Sequence, residues 1–296
     1  MDQRNAPSTP VIGSVAVFGR MIKLSHSVFA LPFALAGATL AARTHGIEWQ
    51  QVAWIVIAMV SARSAAMGFN RLADREMDAE NPRTRDRALP RGWITPRAVA
   101  FIVAACSLLF VFSAYQLNPL CLKLSPLALL VILSYSYFKR FTWATHLVLG
   151  LALGIAPLGA WIAVTGTFDP APLWLSAAVL TWVAGFDIIY ACQDYAFDVS
   201  HGVHSIPRRL GVRPALLTAR LLHVATVMTL LAVYQVFELH ALYLCGTTLV
   251  TGMLAYEHML VKAHDLSRID VAFFNVNGLV SVVYFAFMLG DILWPI

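Results

Sequence analysis

Apolar residues run through this chain in long unbroken blocks, with the polar and charged positions collected between them. Nine blocks reach roughly the 20 residues that a helix needs to cross a hydrocarbon core of about 30 Å. They are 22 to 42, 50 to 70, 98 to 116, 119 to 138, 144 to 165, 173 to 194, 214 to 236, 239 to 260 and 271 to 292. The pattern predicts an all-α polytopic membrane protein built as a single domain over residues 1–296. Pro32 and Pro157 fall inside the first and fifth blocks, which membrane helices tolerate. Residues 1–19 are polar and then mixed, with Pro7 and Pro10, and are expected to be poorly ordered. They lack the basic, apolar, small-residue order of a cleavable signal.

Composition agrees, since a mean hydropathy of +0.71 with 12% charged residues is too apolar for the surface of a soluble domain. The basic residues divide by face. Arg43 and Lys123 belong to one side and Arg63 to the second block, whereas the others gather in the N-terminal segment and in or beside the connections after blocks 2, 4, 6 and 8. By the positive-inside rule those connections and the N-terminus are expected in the cytoplasm, and the C-terminus outside. Topology and contact with anionic membrane lipids thus account for the pI of about 9.2, and nothing calls for nucleic acid. No obligatory protein partner is inferred. Cys106, Cys121, Cys192 and Cys245 stand singly, without metal-type spacing, and are read as packing or lipid-facing residues.

Topology does not explain the acids. In "GFNRLADREMDAENPRTRDRALPRG", residues 68 to 92, Asn70, Asp74 and Asp78 recur every four positions, so on a helix all three project from one face at the end of block 2. At the end of block 6, "GFDIIYACQDYAFDVSHGVHSIP" repeats the arrangement, with Asp194 and Asp198 four apart and Asp187 two turns before Asp194. Such acids are either solvated and paired with the interleaved arginines, or gathered around divalent metal. The duplication favours metal. Hard oxygen donors suit Mg²⁺, which commonly joins carboxylates to phosphate oxygens, and carboxylate, Mg²⁺ and arginine together suit a diphosphate leaving group.

The two acidic stretches resemble the paired aspartate signatures of the UbiA-type intramembrane prenyltransferases, approximately NxxxDxxxD and DxxxD. "RTRDRALPRG" (83 to 92) and "YSYFKRFTWATHLVLG" (135 to 150) are similar to two further segments of that family, in family order. The resemblance spans nearly the whole chain. It implies nine transmembrane helices around a central cavity with a cytoplasmic cap, in a bacterial-type inner membrane with the active site on the cytoplasmic side. It also implies transfer of a polyprenyl group from polyprenyl diphosphate to an aromatic small-molecule acceptor. Asn70, Asp74 and Asp78 would hold one Mg²⁺ and Asp194 and Asp198 a second, with Asp187 as an additional candidate ligand. Arg83, Arg87, Tyr135, Lys139 and Arg140 would contact the diphosphate. Arg71 and His204 depart from the commonest pattern, which has a second aspartate and a lysine there.

Arg63, seven residues before Asn70, shares its helix face two turns deeper. An intramembrane arginine costs about 2.5 to 3.5 kcal/mol on insertion scales and therefore faces the interior with a partner. The candidates are an acceptor carboxylate, a site aspartate or the interface. Ser25 and His26 are further candidates for the acceptor site, while His146 and His223 read as packing histidines. The expected acceptor is 4-hydroxybenzoate or a related ring in ubiquinone or menaquinone biosynthesis. Alternatives are a futalosine-route menaquinone precursor or a non-aromatic acceptor such as haem or lipid. A secondary transporter, from a different class, would place charge at the bilayer midplane, whereas these acids lie at helix ends.

Overall fold

The computed structural model describes residues 11–22 and 30–295, which are helical throughout except for turns and one isolated bridge between Lys262 and Asp265. A short helix α1 (Val11–Met21) opens the chain, followed by α2 (Leu31–His45), α3 (Trp49–Ala73) and the one-and-a-half-turn α4 (Arg75–Glu80). Then come α5 (Pro96–Leu117), α6 (Pro119–Phe138), α7 (Thr145–Thr165) and α8 (Leu173–Ala191). A 3-10 turn (Cys192–Asp194) leads into the short helices α9 (Tyr195–His201) and α10 (Ile206–Leu210). Helices α11 (Val212–Val236) and α12 (Ala241–Leu260), a π-helical turn (Val271–Val276) and α13 (Asn277–Leu293) complete the chain.

Two sequence expectations change. Residues 11–19, expected to be poorly ordered, belong to α1: Phe18 and Ile22 are buried with Leu89, Ile94 and Val99, so the apolar side chains find cover beneath the loop that follows α4. Of the nine expected spans, seven appear as stretches long and apolar enough to cross a membrane: α3, α5, α6, α7, Leu173–His201, α11 and Val271–Leu293. Helix α2 has 15 described residues, because 23–29 lie outside the described chain. Helix α12 has the length, but Thr247, Thr248, Thr251, Glu257 and His258 dilute its apolar character. From the second span to the eighth, helix ends fall within three residues of the expected positions; the ninth starts with the π-helical turn at Val271 and ends at Leu293.

Capping explains several of these ends. Thr95 accepts from the Ala98 amide ahead of Pro96, and Asn118 accepts from the Cys121 amide (2.8 Å) ahead of Pro119. Asn118 also donates to the Ile162 carbonyl (2.8 Å), tying the start of α6 to the end of α7. Asp291 on α13 caps α12 from outside, accepting from the amides of His240 (2.8 Å) and Tyr243 (2.9 Å).

The long helices follow one another around a ring in chain order, each packed on the next, until α13 returns to α2. Helices α2 and α7 also pack on each other across the ring and divide it. They approach closely because Gly37 has no side chain: a Cβ there would collide with the carbonyl oxygen of Pro157, and one at Gly150 with that of Leu180 on α8. One half of the ring is filled, with Trp182, Leu230, Tyr243, Tyr284 and Met288 fully buried and Phe33 stacked on Tyr284 at 5.0 Å. The other half, between α3, α5, α6 and α7, is hollow.

The crossings predict a graded stability series. Gly37→Ala and Gly150→Ala each lower unfolding stability by about 1–3 kcal/mol, the usual cost of overpacking. Gly252→Ala, which meets nothing within 4 Å inside α12, does not lower it and raises it by up to about 1 kcal/mol through helix propensity. Thermal unfolding in detergent reads all three, and a Gly37→Ala protein as stable as the parent would contradict the α2–α7 contact.

Candidate active site

The hollow half holds a cavity of about 1650 Å³. Its walls are apolar along most of their length, from Met59 on α3 and Phe110 on α5 to Val131 on α6 and Leu153 on α7. Ile55 and Arg71 both line it and stand 16 residues apart on α3, so the space runs to a depth of about 24 Å at 1.5 Å per residue. Leu127, Leu151 and Phe168 line it too while being 58%, 45% and 59% exposed, which opens it sideways through the helical wall. At the other end the lining turns basic, with Arg71, Arg83 and Arg87 beside Tyr135 and Tyr190.

The first acidic motif sits where α3 turns into α4. Backbone bonds from Asp74 N to Asn70 O (3.0 Å) and from Asp78 N to Asp74 O (2.7 Å) carry helical spacing through the junction, so the three side chains stay in register. Asp74 and Asp78 are buried. Asp74 Oδ2 accepts from Asn70 Nδ2 (2.8 Å) and from Lys139 Nζ (2.6 Å), Lys139 being the last residue before the chain leaves α6. Both oxygens of Asp78 lie 2.8 Å from an Arg87 nitrogen, and the Arg71 guanidinium is 3.8 Å from Asp78 Oδ2. Thr84 donates to the Asp78 carbonyl (3.0 Å) and so turns the loop back to bring Arg87 over the motif.

Asp194, in the 3-10 turn, belongs to the second motif and is reached by the loop of the first. Arg83 holds both its oxygens, through Nε at 2.9 Å and a terminal nitrogen at 2.5 Å, and Asn81 Nδ2 donates to the same carboxylate at 3.0 Å. Arg83 also donates to the Tyr190 hydroxyl (3.1 Å) and lies 5.2 Å from that ring's centre. Burial opposes the charge of Arg83, but the hydrogen bonds and charge of Asp194 outweigh it and hold its pKa above the usual arginine value. Asp198 accepts from Ser205 Oγ (2.7 Å), the residue that caps α10. Asp187 faces His146 Nδ1 at 2.7 Å; His146 Nε2 accepts the Ile206 amide (3.3 Å), so Nδ1 carries the proton and donates to the carboxylate.

The structure thus brings Asn70, Asp74, Asp78, Arg87 and Lys139 into one group and Asp194, Arg83 and Tyr190 into another, joined by the Asn81–Arg83 segment. Tyr135 and Arg63 line the cavity, the Arg63 guanidinium 3.5 Å from the Ile22 carbonyl. Arg140 is turned elsewhere: it donates to the Ala73 carbonyl at the α3 C-terminus and lies 4.9 Å over the Tyr137 ring. Ser25 and His26 lie outside the described residues. Among the described residues no three carboxylate, histidine or cysteine side chains converge as a ready-made metal cluster; each motif acid has a basic or hydroxyl partner instead. The residues nonetheless fit Mg²⁺. All the donors are hard oxygens, and Asp74 Oδ1 is buried without a hydrogen-bond partner, which leaves an acceptor for a metal ion.

Sequence reasoning passed over Asn81, Tyr190, Ser205 and the His146–Asp187 contact. Tyr190 had a signal, since it precedes Asp194 by four residues and shares its helical face. Ser205 had the Ser-x-x spacing of a helix cap. For Asn81 and His146 no local pattern exists, because their partners are remote in the chain.

A family model described as the UbiA prenyltransferase family matches residues 30–279. The chain is 28% identical over 290 residues to 4-hydroxybenzoate octaprenyltransferase from Saccharophagus degradans, covering 97% of this chain and 96% of that one. Its fold is similar to the apo structure of a UbiA homologue from Aeropyrum pernix K1, with a TM-score of 0.83, 34% identity, and coverage of 90% and 98%. The same fold occurs in a UbiA homologue from Archaeoglobus fulgidus, solved bound to GPP and Mg²⁺, at a TM-score of 0.73, 18% identity, and coverage of 94% and 100%. The protein is therefore a multi-pass membrane enzyme of prenyl transfer, and the chain belongs to the UbiA prenyltransferase family.

Proposed function

We propose that this protein transfers a polyprenyl group from polyprenyl diphosphate to an aromatic acceptor carrying a carboxylate, 4-hydroxybenzoate or a related ring. The observation that carries this is one continuous cavity whose long apolar part ends beneath a cap of arginines and acids. An amphiphile with a hydrocarbon tail and a diphosphate head has that division of chemistry. On this reading α2 and α12 also cross the bilayer, which makes nine spans, and the cap faces the cytoplasm of a bacterial-type inner membrane.

Asn70, Asp74 and Asp78 would hold one Mg²⁺ and Asp194 and Asp198 a second, with Asp187 in support; the ions would neutralise the diphosphate and stabilise it as it leaves. Arg83, Arg87 and Lys139 sit on the acids they would share with the phosphate, so they can exchange a carboxylate oxygen for a phosphate oxygen without leaving the site. As the allylic C–O bond breaks, its electron pair leaves with the diphosphate. The cation at the prenyl C1 is captured by a π pair of the acceptor ring, forming a C–C bond, and loss of the ring proton restores aromaticity. The apolar walls exclude water, which would otherwise capture the cation as an alcohol. Arg63, which lines the cavity about 10 Å below Asn70 along α3, would hold the acceptor carboxylate.

Two experiments test this reading in purified protein. Asp74→Ala and Asp194→Ala each lower Mg²⁺-dependent prenyl transfer about 100-fold or more, on the scale of removing one electrostatic contact to a transition state; turnover near the parent rate would sink the metal assignment. Arg63→Leu raises KM for 4-hydroxybenzoate roughly 10- to 100-fold, the worth of one charge-assisted hydrogen bond, with little change in KM for the diphosphate. Equal effects on both substrates would refute acceptor recognition by Arg63.

A further inference from the structure

A buried polar network with no counterpart in the cap links α8, α12 and α13. Glu257 and Asn277 are both completely buried. Asn277 accepts from Trp182 Nε1 (2.8 Å) and donates to Glu257 Oε1 (2.9 Å) and to the carbonyl of Ala272 (3.1 Å). His223 in turn lies 3.3 Å from the Trp182 carbonyl. Polar groups at this depth are costly when unpaired, so the three bonds that Asn277 makes favour one backbone arrangement over others. The arrangement it holds is the π-helical turn Val271–Val276, since Ala272 lies inside that turn and Asn277 ends it.

The widened turn has a consequence for the cavity. Consecutive residues of a regular helix diverge by about 100°, yet Phe273 and Phe274 both line the cavity, their rings 4.7 Å apart and perpendicular. Phe273 lies against Tyr190, ring centres 4.1 Å apart and 31° from parallel, and meets Phe186 edge-on at 5.2 Å. Tyr190 is the link to the cap, because its hydroxyl receives the Arg83 hydrogen bond. The ring pair therefore stands where the basic cap gives way to hydrocarbon. Resting on the function proposed above, the carbon that ionises occupies the same boundary, since it is bonded to the diphosphate on one side and to the prenyl tail on the other.

We propose that Tyr190 and Phe273 form an aromatic wall against the allylic cation, and that Asn277, anchored by Glu257 and Trp182, is a positioning residue that sets Phe273 in it through the π-helical turn. Ring faces attract a nearby cation and offer no nucleophilic oxygen, so the wall both favours ionisation and keeps water from the carbon.

The test uses purified protein in lipid nanodiscs with labelled geranyl diphosphate, Mg²⁺ and 4-hydroxybenzoate, scoring kcat, KM and the share of consumed label recovered as free geraniol. Phe273→Leu is expected to lower kcat about tenfold, leave KM for the diphosphate within about twofold and raise the geraniol share, and Phe273→Tyr to restore all three. Asn277→Ala reproduces the Phe273→Leu pattern, and the double variant is no worse than either single one. Phe112→Leu, an aromatic loss on the outer face of α5, changes none of these. A Phe273→Leu enzyme with parental kcat and geraniol share overturns the wall. A multiplicative double variant overturns positioning by Asn277. If Asn277→Ala does not fold, Glu257→Leu against Glu257→Gln supplies the same comparison, the glutamine keeping an acceptor for Asn277. Absence of prenyl transfer by the parent protein with any of a panel of aromatic acceptors would instead count against the functional reading itself.

Discussion

The contact between Arg83 and Asp194 carries more of this structure than any other. It is a two-point pairing of a planar guanidinium with a carboxylate, the form of ion pair with the strongest geometric preference. Together with the Asn81 bond to the same carboxylate, it joins the loop after α4 to the turn after α8 across the mouth of the cavity and so draws the two acidic motifs into one cap. Its partners extend that role. Asn81 reinforces it from the loop, and Tyr190 accepts from the third guanidinium nitrogen and turns the same arginine toward the hydrocarbon side. In a hydrocarbon medium an unpaired charge at this level would cost several kcal/mol, so the cap's acids and bases must meet one another or something that replaces them.

The division of the helical ring into a filled and a hollow half follows from the α2–α7 crossing, and the hollow half needs an occupant. At about 24 cal/mol per Å³, an empty void on the scale of this cavity would cost tens of kcal/mol, more than the 5–15 kcal/mol by which folded proteins are usually stable. The opening past Leu127, Leu151 and Phe168 resolves the conflict, since hydrocarbon from lipid or from a prenyl chain can enter sideways. The filled half contributes the stability. There the hydroxyls of Tyr243 and Tyr284 pair with each other at 3.3 Å, and Asp291 caps α12. Rigidity on one side permits a cavity on the other.

What could be read in the sequence follows from the length scales involved. Spans were legible because bilayer thickness sets their length, and Asn70, Asp74 and Asp78 because a spacing of four is a helical face; backbone bonds four residues apart carry that spacing across the α3–α4 junction at Asp74. The inward faces of the spans were not legible. Every face of such a helix is apolar, so nothing local distinguishes Phe112, half exposed on the outside of α5, from Phe110, which lines the cavity. Side-chain direction in loops was equally hidden: Lys139 and Arg140 are neighbours, yet the first meets Asp74 and the second the end of α3. Helix α1 was missed because its burial depends on the loop around Leu89, some 70 residues on.

Depth along α3 separates the tasks within the proposed reaction. On that reading the diphosphate sits at the level of Asn70 to Asp78, where Lys139 and Arg87 meet the acids, and Arg63 stands about 10 Å lower, about two and a half contact distances of ~4 Å. A single phosphoryl group cannot be held at both levels at once, so in the proposed reaction Arg63 serves a second anion. An acceptor whose carboxylate sits there would direct its ring upward, toward the boundary at which Tyr190 and Phe273 lie. The distance between the two basic levels then acts as a ruler for the acceptor: the ring must span from a carboxylate at Arg63 to the prenyl carbon beneath Arg83.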